Sequence, residues 1–140
     1  MNMNTLSPLA KAMRIATAGM QAQDQRILII SQNLANAGAK ATPGTMPYQR
    51  KTISFQTVLD KKQGVELLKL KKIGRDTSPM NKSYNPHDPA ANKDGYVLES
   101  NVKPMIELAD MREASRSHEA NLRAFEKSLS MFQNTISLLK

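Results

Sequence analysis

Residues 7–36 read SPLAKAMRIATAGMQAQDQRILIISQNLAN, and this run predicts one long helix. Ser7 can accept a hydrogen bond from the free amide groups of a first turn. Pro8 suits the first helical position, because no backbone donor is needed there. Only Gly19 interrupts a run that is otherwise free of glycine and proline up to Gly38. A helix of about 30 residues is roughly 45 Å long, more than a small globular domain covers.

Apolar side chains in this run recur at alternating steps of three and four residues, which is the spacing of a coiled-coil seam. The seam has one polar member, Gln23. Its other members are Leu6, Leu9, Met13, Ala16, Met20, Ile27, Ile30, Leu34 and Ala37.

The C-terminal end repeats this arrangement. A second helix is expected to begin near Pro104, with Asn101 as its N-cap, and to run to the end of the sequence. Its seam consists of Leu108, Met111, Ser115, His118, Leu122, Phe125, Leu129, Phe132, Ile136 and Leu139. We expect the two helices to pair as a coiled coil, and the short middle favours an antiparallel arrangement.

Apolar residues outside these seams predict further partners. Residues 27–30 (ILII) are apolar around the whole helix, and Met131 and Leu138 form a second C-terminal stripe. A two-helix pair buries one stripe on each helix, so the remaining apolar surface needs other chains. We expect self-assembly or assembly with other proteins through the two ends.

The middle of the chain reads as a small β-rich insert. Residues 48–55 and 65–73 are strand candidates, and Asp94-Gly95 is a hairpin-type signal before a third apolar run. The sequence therefore predicts a mainly α protein. Residues 1–36 form an N-terminal helix, 37–103 a loop and β-rich middle, and 104–140 a C-terminal helix.

Composition restricts the possible functions. The chain has 140 residues, 20 basic and 12 acidic, for a net charge of +8, and no cysteine. Disulfides, thiolate metal sites and a cysteine nucleophile are therefore excluded. Only 4% of residues are aromatic, so we expect a small core and one or both ends disordered before assembly. The longest apolar run is residues 27–30, and neither a membrane span nor a cleavable signal peptide is expected.

Candidate chemistry is sparse. His87-Asp88 lies between two prolines, so we expect it to form part of a turn and not an acid–base pair. His118 lies on a helical seam, where we expect it to be packed or at an interface. No catalytic residue, metal site, cofactor or small-molecule substrate is predicted. The alternative function is nucleic-acid binding by a basic coiled-coil protein. It rests on the basic middle, with Lys61, Lys62, Lys69, Lys71, Lys72 and Arg75. No aromatic stacking platform accompanies these residues, so the alternative is disfavoured.

Several short motifs resemble those of the bacterial flagellar rod and hook proteins, and the resemblance covers essentially the whole chain. In order they are AGMQA at 18–22, QNLAN at 32–36, PYQRK at 47–51, YNPHDP at 84–89, GYV at 95–97, NV at 101–102 and DMREASRS at 110–117. Each motif alone is weak, whereas the ordered set is specific.

The resemblance implies a structural protein without catalysis. Members of this family pack their terminal helices into the core of a tube, carry the middle segment outside, and pass through the flagellar type III export apparatus without cleavage. The implied location is the rod of the flagellar basal body, in the periplasmic space. The implied partners are other copies of the chain, other proximal-rod subunits, the ring-junction protein and the distal rod.

Seam and motif together predict an assembly interface contributed by both helices. Its expected members are Leu9, Met13, Met20, Ile27, Ile30, Asn33, Leu34, Asn36, Met111, His118, Leu122, Phe125, Leu129, Phe132, Ile136 and Leu139.

Overall fold

The structure is a computed structural model that describes residues 7–42 and 44–138. Helix α1 (Pro8–Ala35) is followed by strands β1 (Lys51–Asp60), β2 (Val65–Arg75), β3 (Asn81–Tyr84) and β4 (Tyr96–Glu99), and then by helix α2 (Pro104–Ser137). Two long helices thus enclose a small β segment, as the sequence predicts. Leu6 and Leu139 of the predicted seams lie outside the described residues.

Helix α1 begins as the sequence predicts, whereas the N-cap of α2 differs from the prediction. Ser7 Oγ accepts a hydrogen bond from the Ala10 amide (3.2 Å), and Pro8 is the first residue of α1. The prediction that Asn101 caps α2 is wrong. The cap position is Lys103, whose side chain makes no capping bond. Asn101 instead uses its side chain to hold the middle segment, as described below.

The two helices pack side by side and antiparallel. Asn33 of α1 contacts Glu107 of α2 (3.0 Å), and His118 Nε2 lies 3.3 Å from Asp24 Oδ1. Gly19 is so close to Asn121 that an added Cβ would lie 2.6 Å from its side chain. On this register, the part of α2 after Phe132 extends beyond the start of α1.

The most buried residues of α2 do not coincide with its predicted seam. The fully buried residues of α2 are Glu107 and Ala114, which are seven residues apart. Each precedes by one position a predicted seam residue, Leu108 or Ser115, and both of those are exposed. The other predicted row remains partly covered, since Met111, His118 and Phe125 are half-buried. At the start of α2, the first row therefore lies beside the contact with α1 and not within it.

Helix α1 buries two faces instead of one seam. Ala16 and Ile30 of the predicted seam are buried, but so are residues outside it, Ala22, Ile29 and Asn33. The additional burial arises because the β segment packs on α1 beside α2. Arg14, for example, forms an ion pair with Asp60 of β1 (3.0 Å).

Strands β1 and β2 form an antiparallel hairpin that runs alongside α1. Both strands extend beyond the predicted limits of 55 and 73, and β1 begins at Lys51, not at Tyr48. The turn at residues 61–64 was not predicted; it ends in Gly64, whose φ of +62° favours glycine. The pairing slips between Ser54 and Phe55, which indicates a bulge on β2.

Strands β3 and β4 form a second antiparallel pair, and β3 was not predicted. Asp94-Gly95 leads into β4 as expected for a turn, but it is not a tight hairpin, because residues 85–95 separate the two strands. The loop after α1 adds to β4, since the Ala41 amide donates to the Leu98 carbonyl (2.9 Å).

The core is thin. Among the described residues, ten hydrophobic side chains are buried, and four of these are alanines. Such a core removes little apolar area from water, whereas ordering two long helices costs considerable conformational entropy. The free chain is therefore expected to be marginally stable.

We expect the helical content of the free protein to fall on dilution below the 62 residues that α1 and α2 contain. Circular dichroism at 222 nm over a range of protein concentrations measures this. A dilute protein that keeps the full helical signal through heating would contradict the prediction.

The close approach of Gly19 to Asn121 predicts that Gly19→Ala shifts the melting temperature in opposite directions with and without the Asn121 side chain. In the natural background Gly19→Ala should lower the melting temperature, because overpacking costs about 1–3 kcal/mol. In an Asn121→Ala background the same change should raise it, since alanine favours a helix over glycine by about 1 kcal/mol. Thermal melts of concentrated protein measure both effects. Gly38→Ala, with no atom nearby, serves as control, and equal effects of Gly19→Ala in both backgrounds would contradict the packing.

Candidate assembly interface

Asn33 is the centre of a buried polar cluster between the two helices and the middle segment. Its side chain is 1% exposed and makes four hydrogen bonds. The Oδ1 atom accepts from the Tyr48 hydroxyl (2.9 Å) and the Lys51 amide (2.8 Å). The Nδ2 group donates to the Lys51 carbonyl (2.9 Å) and to Glu107 (3.0 Å). Every hydrogen-bonding position of the amide is therefore used, which fixes three segments relative to one another.

Glu107 carries a charge into this cluster and is 0% exposed. Arg50 compensates it through an Nε–Oε1 contact of 2.5 Å. The same guanidinium lies 3.6 Å from Asp110 and 3.8 Å from Asp76. A buried carboxylate is tolerated only when it is paired and hydrogen-bonded, and Glu107 has both kinds of partner.

Tyr48 remains a hydrogen-bond donor in this environment. Burial of the phenol, and secondly the charge of Glu107, raise the pKa of Tyr48 above its ordinary value. The hydroxyl thus stays protonated over the physiological pH range and can donate to Asn33.

Asn101 holds the other side of Arg50. Its Oδ1 accepts from the Arg50 amide (2.7 Å), and its Nδ2 donates to the Ser78 carbonyl (3.1 Å). Hydrogen bonds from Ser78 lower the pKa of the nearby Asp76 carboxyl. The turn after β2 is in this way tied to the segment that leads into α2.

Helix α2 also carries a row of partly exposed apolar side chains, which we name the outer stripe. It consists of Leu108, Leu122, Leu129, Phe132 and Ile136. Each of these side chains is 37–44% exposed, and they follow one another along about 40 Å of helix. Over a third of each side chain remains exposed, so the stripe is a candidate for contact with another protein.

The remaining residues predicted for assembly are more covered. On α1, Ile30 and Asn33 are buried, and Leu9, Met13, Met20, Ile27, Leu34 and Asn36 are half-buried. Asn36 ends α1 and donates to the Gln32 carbonyl (2.7 Å). Met111, His118 and Phe125 of α2 are half-buried. Leu139 is outside the described residues.

The Asp88 side chain is held by groups other than His87. Asp88 binds the Lys40 ammonium (2.7 Å) and accepts from the Ala90 amide, and these contacts lower the pKa of the Asp88 carboxyl. Within residues 7–42 and 44–138, no group of three His, Asp or Glu side chains could hold a metal ion. In the same part of the chain, no helix is both long and apolar enough to cross a membrane.

Sequence reasoning missed the partners of Asn33. It placed Asn33 in the expected assembly interface, but assigned no role to Tyr48, Arg50 or Glu107. The available signal was the motif spacing: Asn33, Tyr48 and Arg50 belong to the QNLAN and PYQRK stretches, which the fold brings together. A polar side chain within an apolar helical run is a further indication of a buried hydrogen-bonded site.

Comparison with known proteins gives a consistent result. Residues 93–138 match the family model described as "Flagellar basal body rod FlgEFG protein C-terminal". The flagellar basal-body rod protein FlgC of Agrobacterium fabrum is 44% identical over 136 residues, which cover 96% of this chain and 98% of that protein. FlgC of Buchnera aphidicola from Schizaphis graminum is 35% identical, over 93% and 97% of the two chains. FlgC of Salmonella typhimurium is 32% identical, over 89% and 92%.

The polar cluster predicts a strong effect of Asn33→Asp. The change replaces the Nδ2 donor with a carboxylate oxygen that faces Glu107, and should cost about 3–5 kcal/mol, as for a broken buried pair. Thermal unfolding followed at 222 nm should show a large fall in melting temperature.

Gln25→Glu makes the same change of charge at an exposed position of α1 and should alter stability by about 0.5 kcal/mol or less. Equal melting temperatures of the two variants would show that Asn33 is not bound as described.

Proposed function

The chain belongs to the family of flagellar basal-body rod proteins FlgC, and we propose that its outer stripe joins it to neighbouring subunits of the rod. It is a structural subunit of the bacterial flagellar basal-body rod. Its family accounts for a thin core and two long helices, because a rod subunit can complete its packing with its neighbours.

The exposed outer stripe is the observation that supports this proposal. Leucine, phenylalanine and isoleucine at heptad spacing are typical of helix–helix contacts. Burying one such side chain contributes about 1.5–3 kcal/mol, so leaving five of them half-exposed would be unfavourable without a partner. The polar cluster holds the start of α2 against α1, and the exposed parts of the stripe stay available to another chain.

We further propose that α1 and α2 form the core of a helical tube, with residues 37–103 on its outside. The predicted seams would then interdigitate as coiled coils between subunits as well as within one. Close-packed helical cores deform little, so a tube built in this way can transmit torque. No enzymatic activity is needed for this role.

The proposed partners are other copies of the chain, other proximal-rod subunits, the ring-junction protein and the distal rod. The chain would reach the periplasmic rod through the flagellar type III export apparatus without cleavage of a signal peptide. A thin core favours this route, because a marginally stable chain unfolds readily for passage through a narrow channel.

Nucleic-acid binding, the alternative suggested by charge, has little structural support. The basic residues concerned are exposed on the β1–β2 hairpin. The one aromatic pair in the described part of the chain, Tyr84–Tyr96, packs edge to face and lies on β3 and β4, in a different sheet from that hairpin. The hairpin therefore offers charge without a stacking platform.

Leu129→Asp should abolish incorporation into the rod and hence motility. The change places an unpaired charge in a surface that becomes buried on assembly, at a cost of about 3–5 kcal/mol for each contact. Swimming in soft agar and the amount of the chain in purified basal bodies measure the effect in cells that lack their own copy.

Ser130→Asp adds the same charge one residue further, outside the outer stripe, and should leave motility intact. Wild-type motility of Leu129→Asp would exclude the outer stripe as an assembly surface.

A further inference from the structure

The outer edge of β2 has no strand partner among the residues that the structure describes. Strands β1 and β2 form a sheet of two strands, so the edge of β2 that faces away from β1 leaves its backbone donors and acceptors without a ladder. Residues 69–73 (KLKKI) of this strand are all exposed. A free edge can pair with a strand of another chain, which makes it a site of possible aggregation.

The other side chains of β2 make this hazard serious. Residues 65–73 read VELLKLKKI, and apart from Glu66 every side chain that is not lysine is valine, leucine or isoleucine. Leu70 is 40% and Ile73 44% exposed, so apolar side chains are present along the free edge. Segments with high β-propensity, low charge and no proline are the ones that form sheets between chains. The three lysines therefore distinguish this strand from an aggregation-prone segment.

We propose that Lys69, Lys71 and Lys72, which we name the lysine row, prevent the hairpins of different copies from pairing edge to edge. All three side chains are exposed, and none forms an ion pair with another described residue. Their charges are thus uncompensated at the free edge. The proposal goes beyond the proposed function and does not depend on it, because any chain with this edge meets the same hazard.

Symmetry brings the lysine row of one copy against that of another whenever two β2 strands pair. In the antiparallel register that pairs all 11 residues of β2, Val65 of each copy lies opposite Arg75 of the other. Lys69 of each copy then lies opposite Lys71 of the other, which gives two like-charge pairs. In a parallel pair in register, each lysine lies beside its own equivalent. Like charges directly opposite each other destabilise a sheet, so both arrangements are disfavoured.

A β-bulge lies at the same point of the strand. Phe55 pairs with Leu70. The next pair is Ser54 with Lys72, which leaves Lys71 as an extra residue on β2. A bulge increases the local twist and interrupts the regular ladder, and natural sheets use both bulges and lysines at edges that stay unpaired. The bulge and the lysine row therefore act on the same edge in the same direction.

The outer edge of β1 lacks such charges, since residues 52–59 contain no charged side chain. Two β1 edges can pair, but the resulting sheet of four strands has a β2 edge on each side, where the lysine row stops further growth. Pairing of β2 with β1 of the next copy places the three ammonium groups beside a neutral strand that offers no counter-charge. One charged edge in each hairpin therefore limits the growth of a sheet.

Neutral and oppositely charged variants of the full-length chain test the proposal. The triple variant Lys69→Gln, Lys71→Gln and Lys72→Gln loses the like-charge pairs, so strand-rich aggregates should form at a roughly tenfold lower protein concentration than for the wild type. In the matched triple change to Glu, glutamates again lie opposite glutamates, so solubility should stay close to that of the wild type. Sedimentation, thioflavin T fluorescence and the infrared band of intermolecular strands measure the aggregates.

Lys61→Gln, Lys62→Gln and Lys93→Gln together remove the same charge from exposed positions outside the strands and serve as control. This control should stay as soluble as the wild type. The Glu variant changes the same three positions as the Gln variant, so it also controls for effects on folding.

Equal solubility of the Gln variant and the wild type would overturn the proposal. Aggregation of the Glu variant at the same concentration as the Gln variant would also overturn it, since the lysines would then act through their positive sign, as in binding an anionic partner. Aggregation of the control to the same extent would show that net charge, and not the edge of β2, determines solubility. Aggregates of the Gln variant without the intermolecular strand band would equally contradict edge-to-edge pairing.

Discussion

The buried contact between Asn33 and Glu107 sets the arrangement of the whole chain. An ionised carboxylate without exposure to water requires an opposite charge and hydrogen-bond donors, and Arg50 and Asn33 supply them. These partners come from the middle segment and from α1. One side chain of α2 thereby fixes the position of the hairpin and the register of the helices, and it determines which face of α2 meets α1.

The small and polar residues that α2 places against α1 have the most direct consequence for function. Glu107 and Ala114 occupy the row that faces α1, and Asn121 and Ser128 continue it, so this row is polar or small. Leu108, Leu122 and Leu129, which follow three of these positions by one residue, stay partly exposed. Polar contacts fix the fold of the single chain, and the large apolar side chains of α2 remain partly exposed for contact with other chains. This division explains how a chain with a thin core can still build a stiff assembly.

Much of this architecture could be predicted from the sequence, because it depends on local rules. Ser7-Pro8 marks the start of α1, and heptad spacing indicates two long helices. The phase of α2 could not be predicted by apolar spacing alone, since a buried Glu107 violates the pattern on which that method relies. Asparagine is a common helix N-cap, but the Asn101 side chain instead accepts a hydrogen bond from the Arg50 amide. The hairpin turn before Val65 was not predicted, although Gly64 is a residue type that favours turns.

The central claim is that the outer stripe completes its burial on another subunit while Glu107 remains within its own chain. An electron cryo-microscopy map of the assembled basal body, at a resolution that shows side chains, tests it most directly. We predict that Leu129 contacts a neighbouring subunit and that Glu107 is bound to Asn33 and Arg50 of the same chain. A map in which Leu129 packs against α1 of its own chain, with Glu107 facing water, would contradict it.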